Sequence, residues 1–393
     1  MNKLKENSTL AILLGNLFIA FLGIGLVIPI LPTIMNELNI SGKVVGNLTA
    51  AFALTQLFVS PFTGRAVDRY GRKIIVVIGL IIFGISELLF GMGKTVEILF
   101  LSRILGGVSA AFIMPAVTAF ITDITTQESR PKAFGYMSAA ISTGFIIGPG
   151  IGGFLAELGT RVPFYTAAVL GFVAAILSVL FLSEPARQRM VQHDSAANKK
   201  SGLKKMFIPM FLIAFIMIFV SSFGLAAFES FFSLFVDHKF NFTPKDIAIS
   251  ITGGAIIGAI VQVALFNRLT VKLGEIGLVR YCLIFSAVTV FLVTQANSYL
   301  TIMLLTFIVF VGFDLIRPAI TNYLSNVAGD EQGFVAGMNS MFTSLANVMG
   351  PIVGGMLFDI DVDYPYYMAV ILLIVGLFIS MFWKQKATAQ SLI

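Results

Sequence analysis

Charged side chains are scarce in this 393-residue chain, where they make up 12% of the residues, against roughly 25% in an average soluble domain. Hydrophobic residues make up 57%. So few charges cannot cover a water-facing surface without leaving apolar patches larger than soluble monomers tolerate. The composition therefore excludes a soluble globular protein and predicts a surface that faces lipid.

Cysteine and histidine are almost missing. Cys282 is the single cysteine, which excludes an intramolecular disulfide. His193 and His238 are the two histidines, and they fall in loops predicted on opposite sides of the membrane, so no metal cluster or histidine-based triad is available. The segment Gly93–Thr95 reads G-K-T, but Leu88 stands where a phosphate-binding loop needs glycine. We therefore predict no metal, no cofactor and no enzymatic activity.

Twelve apolar runs are present, each bounded by charged or turn residues and long enough to cross a bilayer as a helix. They lie near 9 to 31, 43 to 63, 74 to 92, 97 to 122, 133 to 156, 163 to 182, 207 to 236, 245 to 266, 277 to 296, 299 to 325, 333 to 358 and 364 to 383. The pattern predicts an all-α integral membrane protein with twelve transmembrane helices.

The basic residues give the chain a net charge of +6, which in a soluble protein would suggest nucleic acid as a partner. Here they occur in short clusters between the apolar runs. If the first residue is cytoplasmic, 19 of the 26 Lys and Arg residues fall on the cytoplasmic side and 5 on the outside. This bias predicts cytoplasmic termini and no nucleic-acid partner.

An internal repeat divides the chain into halves. Three segments of the first half recur in the second at an offset of 202 or 203 residues: 115–123 at 318–326, 148–153 at 350–355, and 163–165 at 365–367. The predicted domains are a six-helix bundle at 1–182, a cytoplasmic linker at 183–205 and a second six-helix bundle at 206–393. The two bundles form a parallel repeat, as in the major facilitator superfamily fold, where substrate binds at the midplane between the halves.

The loop after the second span, residues 64–73, reads GRAVDRYGRK. Gly71 permits a tight reversal of the chain, and Asp68 can pair with a neighbouring arginine or with a helix N-terminus. The alternative is that the positive charges act only as a topology signal. In the second half the matching loop keeps Lys272 and Gly274 but lacks the acid, so any latch formed here is predicted to be asymmetric.

The fifth span contains GFIIGPGIGG at 144–153. Its glycines recur every four residues and form a flat stripe for close helix contact, while Pro149 bends the helix. Gly254 and Gly258 form a similar stripe in the eighth span. Ordinary packing of small residues is the plainer interpretation of both stripes.

Ionisable residues inside spans need a reason, because a charge near the bilayer centre costs at least about 2.5 kcal/mol. Asp314 and Arg317 lie three residues apart on one helix face and can pair. Glu229 has phenylalanine neighbours, a setting that favours the protonated acid. Arg103 is the fourth ionisable residue inside a span that needs such a reason. The alternatives are a structural Asp314–Arg317 ion pair and a neutral, hydrogen-bonded Glu229 in the core.

Two further acids are predicted to have plainer roles. Glu87, in the third span, is predicted to reach the outer interface towards Lys94, with a functional role as the alternative. Asp123 falls at a helix end, where solvation accounts for it.

Phenylalanine supplies 38 residues, and those that share a span with the acids are candidates for a cavity wall. Aromatic faces and carboxylates together suit flat, lipophilic cations. A sugar site would need more hydrogen-bonding groups than the few span amides, Asn16, Gln56 and Asn347, can supply.

Five segments together resemble the major facilitator superfamily, and within it the proton-driven multidrug exporters of bacteria. They are the 64–73 loop, the 144–153 glycine run, R-x-x-x-G-x-x-A at 103–110, FLGIGLVIP at 21–29 and GFDLIRP at 312–318. The resemblance implies a drug:proton antiporter in the bacterial cytoplasmic membrane. Its expected partners are lipophilic cationic drugs and dyes, fluoroquinolones, protons and the lipid bilayer, with no obligate protein partner.

The resemblance also implies roles for individual residues. The residues expected in proton coupling are Glu229, Asp314, Arg317 and Arg103. Those expected to contact substrate are Phe21, Ile24, Gln56, Phe145, Phe228, Phe232, Phe310 and Asn347. Those expected in gating are Gly64, Asp68, Arg69, Gly71, Arg72, Gly148 and Pro149.

Two other functions remain open from the sequence. The same fold permits a proton-coupled symporter that imports a small metabolite. A membrane-embedded sensor that has kept a transporter fold without transport is the alternative of another class.

Overall fold

The computed structural model describes residues 3–184, 209–328 and 332–383, and within these ranges it contains helices and no strands. The helices are α1 (Lys3–Val27), α2 (Leu31–Leu38), α3 (Gly42–Tyr70), α4 (Arg72–Met92), α5 (Val96–Ile124), α6 (Arg130–Ala156), α7 (Val162–Phe181), α8 (Pro209–Phe240), α9 (Pro244–Thr294), α10 (Tyr299–Ala328), α11 (Gln332–Phe358) and α12 (Tyr364–Met381). A single 3-10 turn, Ile28–Ile30, joins α1 to α2.

The membrane crossings agree in number with the sequence prediction. Eleven helical segments of the described chain are long and apolar enough to cross a membrane, the first of them running through α1 and α2. α9 has 51 residues, which at about 1.5 Å per residue is more than twice the hydrocarbon thickness of about 30 Å. Gly274 interrupts it with φ 69° and ψ 163°. α9 therefore supplies two crossings, and the described ranges contain twelve.

The repeat seen in the sequence recurs at the level of helix geometry. Pro115 lies inside α5 and its counterpart Pro318 inside α10. Gly71 and Gly274, 203 residues apart, both take positive φ values, 101° and 69°. Glycine is required at such a backbone conformation because it lacks a Cβ. The two halves therefore turn between consecutive helices in the same way.

Packing divides the described chain into two units. The first contains α1 to α7, in which α1 packs on α6 and α7, α3 on α5, and α4 on α5 and α7. The glycine stripe of α6 faces α1: a Cβ on Gly148 would lie 2.7 Å from the Leu22 carbonyl oxygen. The stripe thus brings the two backbones together, as small residues do in membrane helices.

The first unit also includes Phe232–Thr252, the end of α8 and the beginning of α9. The Lys245 ammonium lies 3.1 Å from the Glu157 carboxylate, and the Asn36 amide donates to Asp237 at 3.3 Å. Gly153 has no side chain where Ala248 packs. These contacts explain why this segment groups with the first unit.

The second unit contains the rest of α8 and α9 together with α10, α11 and α12. Its helices also approach at glycines: Gly254 lies against the Phe310 ring, and Gly350 against Ala226. The predicted linker 183–205 lies outside the described residues from position 185 onward. The domain bounds 1–182 and 206–393 stay a prediction.

A methyl group placed in the α1–α6 contact should destabilise the protein. We expect Gly148→Ala to lower the free energy of unfolding by about 1–3 kcal/mol, the usual cost of overpacking. Thermal unfolding of the purified protein in detergent measures this. Gly135→Ala is the matched control on α6, because a Cβ there meets nothing within 4 Å. Equal unfolding temperatures for the two variants would contradict the packing role.

Candidate functional site

Two carboxylates and an arginine meet in the second unit. Glu229 lies on α8, and Asp314 and Arg317 lie one turn apart on α10. Glu229 and Arg317 are exposed and Asp314 is half-buried. Glu229 and Asp314 are close enough for their charges to interact. The structure therefore places two of the predicted acids near each other, although they are 85 residues apart in the chain.

Asp314 lies directly against the backbone of α9. A Cβ on Gly258 would overlap the Asp314 carboxylate, and one turn earlier Gly254 leaves room for the Phe310 ring. The α9 glycine stripe is therefore more than general packing, because it makes space for an acid and an aromatic ring of α10.

The structural ion pair between Asp314 and Arg317, which the sequence left open as an alternative, is not formed in this structure. In the described part of the chain neither residue forms an ion pair with the other, and neither acts on the charge of the other. Three-residue spacing permits an ion pair on a helix but does not require one. Arg317 is instead left accessible beside the acid.

The aromatic candidates of the second unit form a packed cluster. Phe228 contacts Phe310 edge-on at 5.9 Å between ring centroids, and Tyr366 edge-on at 5.7 Å. Phe313 lies 6.5 Å away in a tilted arrangement. Phe228 is 0% exposed and Phe310 5%, so both rings are buried inside the second unit. Tyr366 is a member that sequence patterns did not single out.

The remaining substrate candidates differ in accessibility. In the first unit, Phe21 and Phe145 contact each other at 5.8 Å between ring centroids. Phe21, Ile24 and Gln56 are half-buried, Phe145 and Asn347 are exposed, and Phe232 is buried. Asn16 already has a hydrogen-bond partner in the interior, because its amide donates to the Ser178 hydroxyl at 2.8 Å.

Arg103 has a partner that the sequence prediction missed. Its guanidinium lies 3.7 Å from the Glu87 carboxylate, with both side chains mostly buried. It also lies over the Phe90 ring, 4.1 Å from the centroid. Glu87 was predicted to reach towards Lys94, and this is corrected: it points between α4 and α5. The sequence could have indicated this pair through the opposite charges on two successive spans, because successive helices are usually neighbours.

The loop at 64–73 forms a charged cluster with Arg72 at its centre. The Arg72 guanidinium lies 2.7 Å from Asp123 and 3.5 Å from Asp68. Asp123 has a side-chain exposure of 7%, so the prediction that solvent accounts for it is wrong. The Glu184 carboxylate accepts hydrogen bonds from the backbone N–H groups of Arg72 and Lys73 at 2.6 and 2.8 Å. An acid at this helix N-terminus is favoured by the helix dipole.

The other gating candidates have distinct environments. Arg69 lies over the Tyr70 ring at 5.4 Å. Gly71 must lack a side chain, because a Cβ on this residue would lie 2.7 Å from Glu184. A Cβ on Gly64 would have no neighbour within 4 Å. Pro149 lies inside α6 against Gly25 of α1.

The second half replaces this cluster by a different polar contact. Glu275 stands at the position equivalent to Arg72, and Asn326 at that of Asp123. The Glu275 carboxylate accepts from the amides of Asn326 and Asn322, both at 3.0 Å. The predicted asymmetry is therefore present as an acid–amide contact in place of an ion pair.

Within the described ranges no three His, Cys, Asp or Glu side chains are grouped in a way that could hold a metal ion.

Comparison with known proteins decides the family. A family model described as "Major Facilitator Superfamily" matches residues 13–277 and 214–391. The chain belongs to the major facilitator superfamily. Its fold agrees: it superimposes on a bacterial homologue of the human lysosomal transporter Spinster with a TM-score of 0.84 at 16% identity, covering 99% of this chain and 100% of that one. The nucleoside transporter NupG gives 0.81 at 16% identity, covering 98% and 100%.

Three curated superfamily members are similar along nearly the whole chain. Multidrug resistance protein 1 of Bacillus subtilis (strain 168) is 64% identical, covering 98% of both proteins. Multidrug resistance protein 2 of the same strain is 52% identical, covering 97% of this chain and 96% of that protein. Quinolone resistance protein NorA of Staphylococcus aureus is 45% identical, covering 96% and 97%. This membership makes the chain a multi-span membrane transporter and not an enzyme.

Breaking the Arg72–Asp123 pair from one side should be costly. We expect Arg72→Ala to destabilise the protein by about 3–5 kcal/mol, because it leaves a buried carboxylate unpaired. Removing both charges in Arg72→Ala/Asp123→Ala should restore part of that loss. A double-mutant cycle on unfolding in detergent measures the coupling. Strictly additive effects of the two substitutions would argue against the pair.

Proposed function

We propose that this protein exports lipophilic cationic drugs, dyes and fluoroquinolone-type compounds in exchange for protons, by alternating access. The observation that carries the proposal is near-full-length similarity to proteins named for multidrug and quinolone resistance. The accessible acids of the second unit supply the chemistry that such an exchange requires.

Competition for the same carboxylates would couple drug to proton. A deprotonated Glu229 or Asp314 attracts a cation, and protonation removes that attraction. Because the two acids lie within range of each other's charge, a proton or cation bound at one also changes the field at the other. Exchange follows when the acids load drug from the cytoplasm and protons from outside.

The energy available is sufficient for concentrating export. Exchange of one proton for one monovalent cation moves no net charge across the membrane, so the pH difference drives it and the membrane potential does not. A pH difference of one unit supplies about 1.4 kcal/mol per proton, and a tenfold concentration ratio costs about the same. One proton can thus drive a tenfold drug gradient for each unit of pH difference.

Arg103 and Arg317 would act as basic regulators of the acids, and the 64–73 cluster as a latch on the cytoplasmic side. We propose the bacterial cell membrane as the location, with both termini in the cytoplasm. The positive charges of the connecting loops support this orientation.

Neutralising either acid should abolish coupling. We expect Glu229→Gln and Asp314→Asn each to reduce dye efflux from proteoliposomes with an imposed pH gradient by on the order of tenfold or more, since each removes the charge that exchanges cation for proton. The control is Glu128→Gln, an exposed acid in the α5–α6 loop. Unchanged efflux in both span variants would refute the carboxylate assignment, and acid-driven uptake would indicate the symporter.

Moving the Asp314 carboxylate without removing its charge should also reduce gradient-driven efflux. Because a Cβ on Gly258 would overlap the carboxylate, we expect Gly258→Ala to lower gradient-driven efflux several-fold, a cost of about 1 kcal/mol or more. Gly277→Ala is the control, in the second crossing of α9 beyond Gly274, where the added Cβ makes an ordinary 3.5 Å contact with Leu273. If the two variants transport equally, the position of Asp314 does not depend on Gly258.

A further inference from the structure

The buried contact between Glu87 and Arg103 is poor as a structural ion pair. The closest nitrogen–oxygen distance is 3.7 Å, beyond the 2.7–2.9 Å typical of charge-assisted hydrogen bonds. Glu87 Oε2 and Arg103 Nε and Nη2 are buried without a hydrogen-bond partner. A pair that serves only stability would be expected to satisfy these atoms, because unpaired polar atoms in the interior are costly.

The surrounding helices hold the pair at this distance. One residue before each member, the Ser86 hydroxyl donates to the Ser102 carbonyl and the Ser102 hydroxyl to the Ser86 carbonyl, both at 2.9 Å. A further turn along α5, Gly106 lies against Ser86 and the Phe52 ring of α3. The backbones of α4 and α5 are therefore fixed, and the loose side-chain contact is not caused by loose helices.

Arg103 does not depend on Glu87 alone for stabilisation. Its guanidinium lies on the Phe90 ring, a contact that stabilises a cation without a counterion. Phe90 is held in turn by stacking on Phe164 at 4.8 Å between ring centroids. The carboxylate can thus lose its charge while the arginine keeps a partner.

A cavity of about 820 Å³ opens where α4 ends and α7 begins, and neither Glu87 nor Arg103 is among its lining residues. Gly91, Lys94 and Arg161 are among its lining residues. Gly91 is one helical turn beyond Glu87, so about 6 Å of helix separates the cavity from the acid. By the predicted topology this end faces outside, where protons enter.

We propose that Glu87 is a proton-carrying residue of the first unit, which alternates between an ion pair with Arg103 and a neutral acid loaded from the outer cavity. On loading, a proton from water forms an O–H bond on the Glu87 carboxylate and the pair is broken; release reverses both changes. Arg103 stays protonated throughout. The inference rests on the proposed proton-coupled export and adds a site separate from Glu229 and Asp314.

The charges around Glu87 permit this assignment. α5 and α7 pack on α4, and α1 and α3 also contact it. Among the described residues of these helices, Arg103 is the charge that acts on Glu87. Arg161, which immediately precedes α7, donates instead to Glu37 at 2.8 Å and to the Phe90 carbonyl. Protonation of Glu87 should therefore break its ion pair with Arg103, and no other acid should take the place of Glu87 in that pair.

Infrared difference spectroscopy tests the protonation itself, independently of any drug. The purified protein is acidified, and the C=O stretch of newly protonated carboxylic acids is recorded. We expect Glu87→Gln to lack one component of the wild-type band, while Ser109→Ala keeps it. Ser109 is a matched control because its hydroxyl also joins α5 to α4, donating to the Gly79 carbonyl at 2.9 Å. An unchanged band in Glu87→Gln would overturn the proposal.

Transport separates a proton-carrying role from a structural one. In proteoliposomes we expect Glu87→Gln to reduce gradient-driven ethidium efflux on the order of tenfold while keeping ethidium–ethidium exchange without a gradient within about twofold. Equal loss of both activities would mean that the pair is only structural, and full gradient-driven efflux would mean that Glu87 carries no coupled proton. If the wild type itself shows no gradient-driven efflux, the proposed function fails, and the infrared band still decides whether Glu87 takes up a proton.

Discussion

The cost of a charge in hydrocarbon is the constraint on which this protein depends. It limits charged residues to 12% of the chain, and it requires each one inside a span to be paired, neutralised or given access to water. Asp314 and Glu229 remain accessible, whereas Glu87 faces Arg103 in the interior. The intramembrane charges are therefore the residues whose positions are the most constrained by the bilayer.

Glycine makes those positions possible. In a bilayer, helices gain little from hydrophobic association, so close backbone contact and van der Waals packing hold them together. Gly148 provides such contact between α6 and α1, and Gly258 goes further by leaving space for the Asp314 carboxylate. The same device thus serves stability in the first unit and the placement of an acid in the second.

The two halves share a backbone plan but differ in charge. Both turn at a glycine of positive φ, Gly71 and Gly274. After it, Arg72 meets Asp123 in the first half, while Glu275 meets Asn326 in the second. An ion pair is sensitive to the local dielectric and an acid–amide bond less so. Divergence of side chains on a repeated frame would let the halves perform different tasks in one cycle.

The spans, their number and the repeat could be predicted from the sequence alone, because the bilayer imposes a length and an apolar composition that each crossing helix must satisfy by itself. The acids at 229 and 314 could be selected for the same reason. Which charges meet was decided by the tertiary structure: Arg103 with Glu87, Arg72 with Asp123, and Asp314 with Gly258 rather than Arg317. Spacing along one helix defines its faces, but the partner of a face is set by packing between helices.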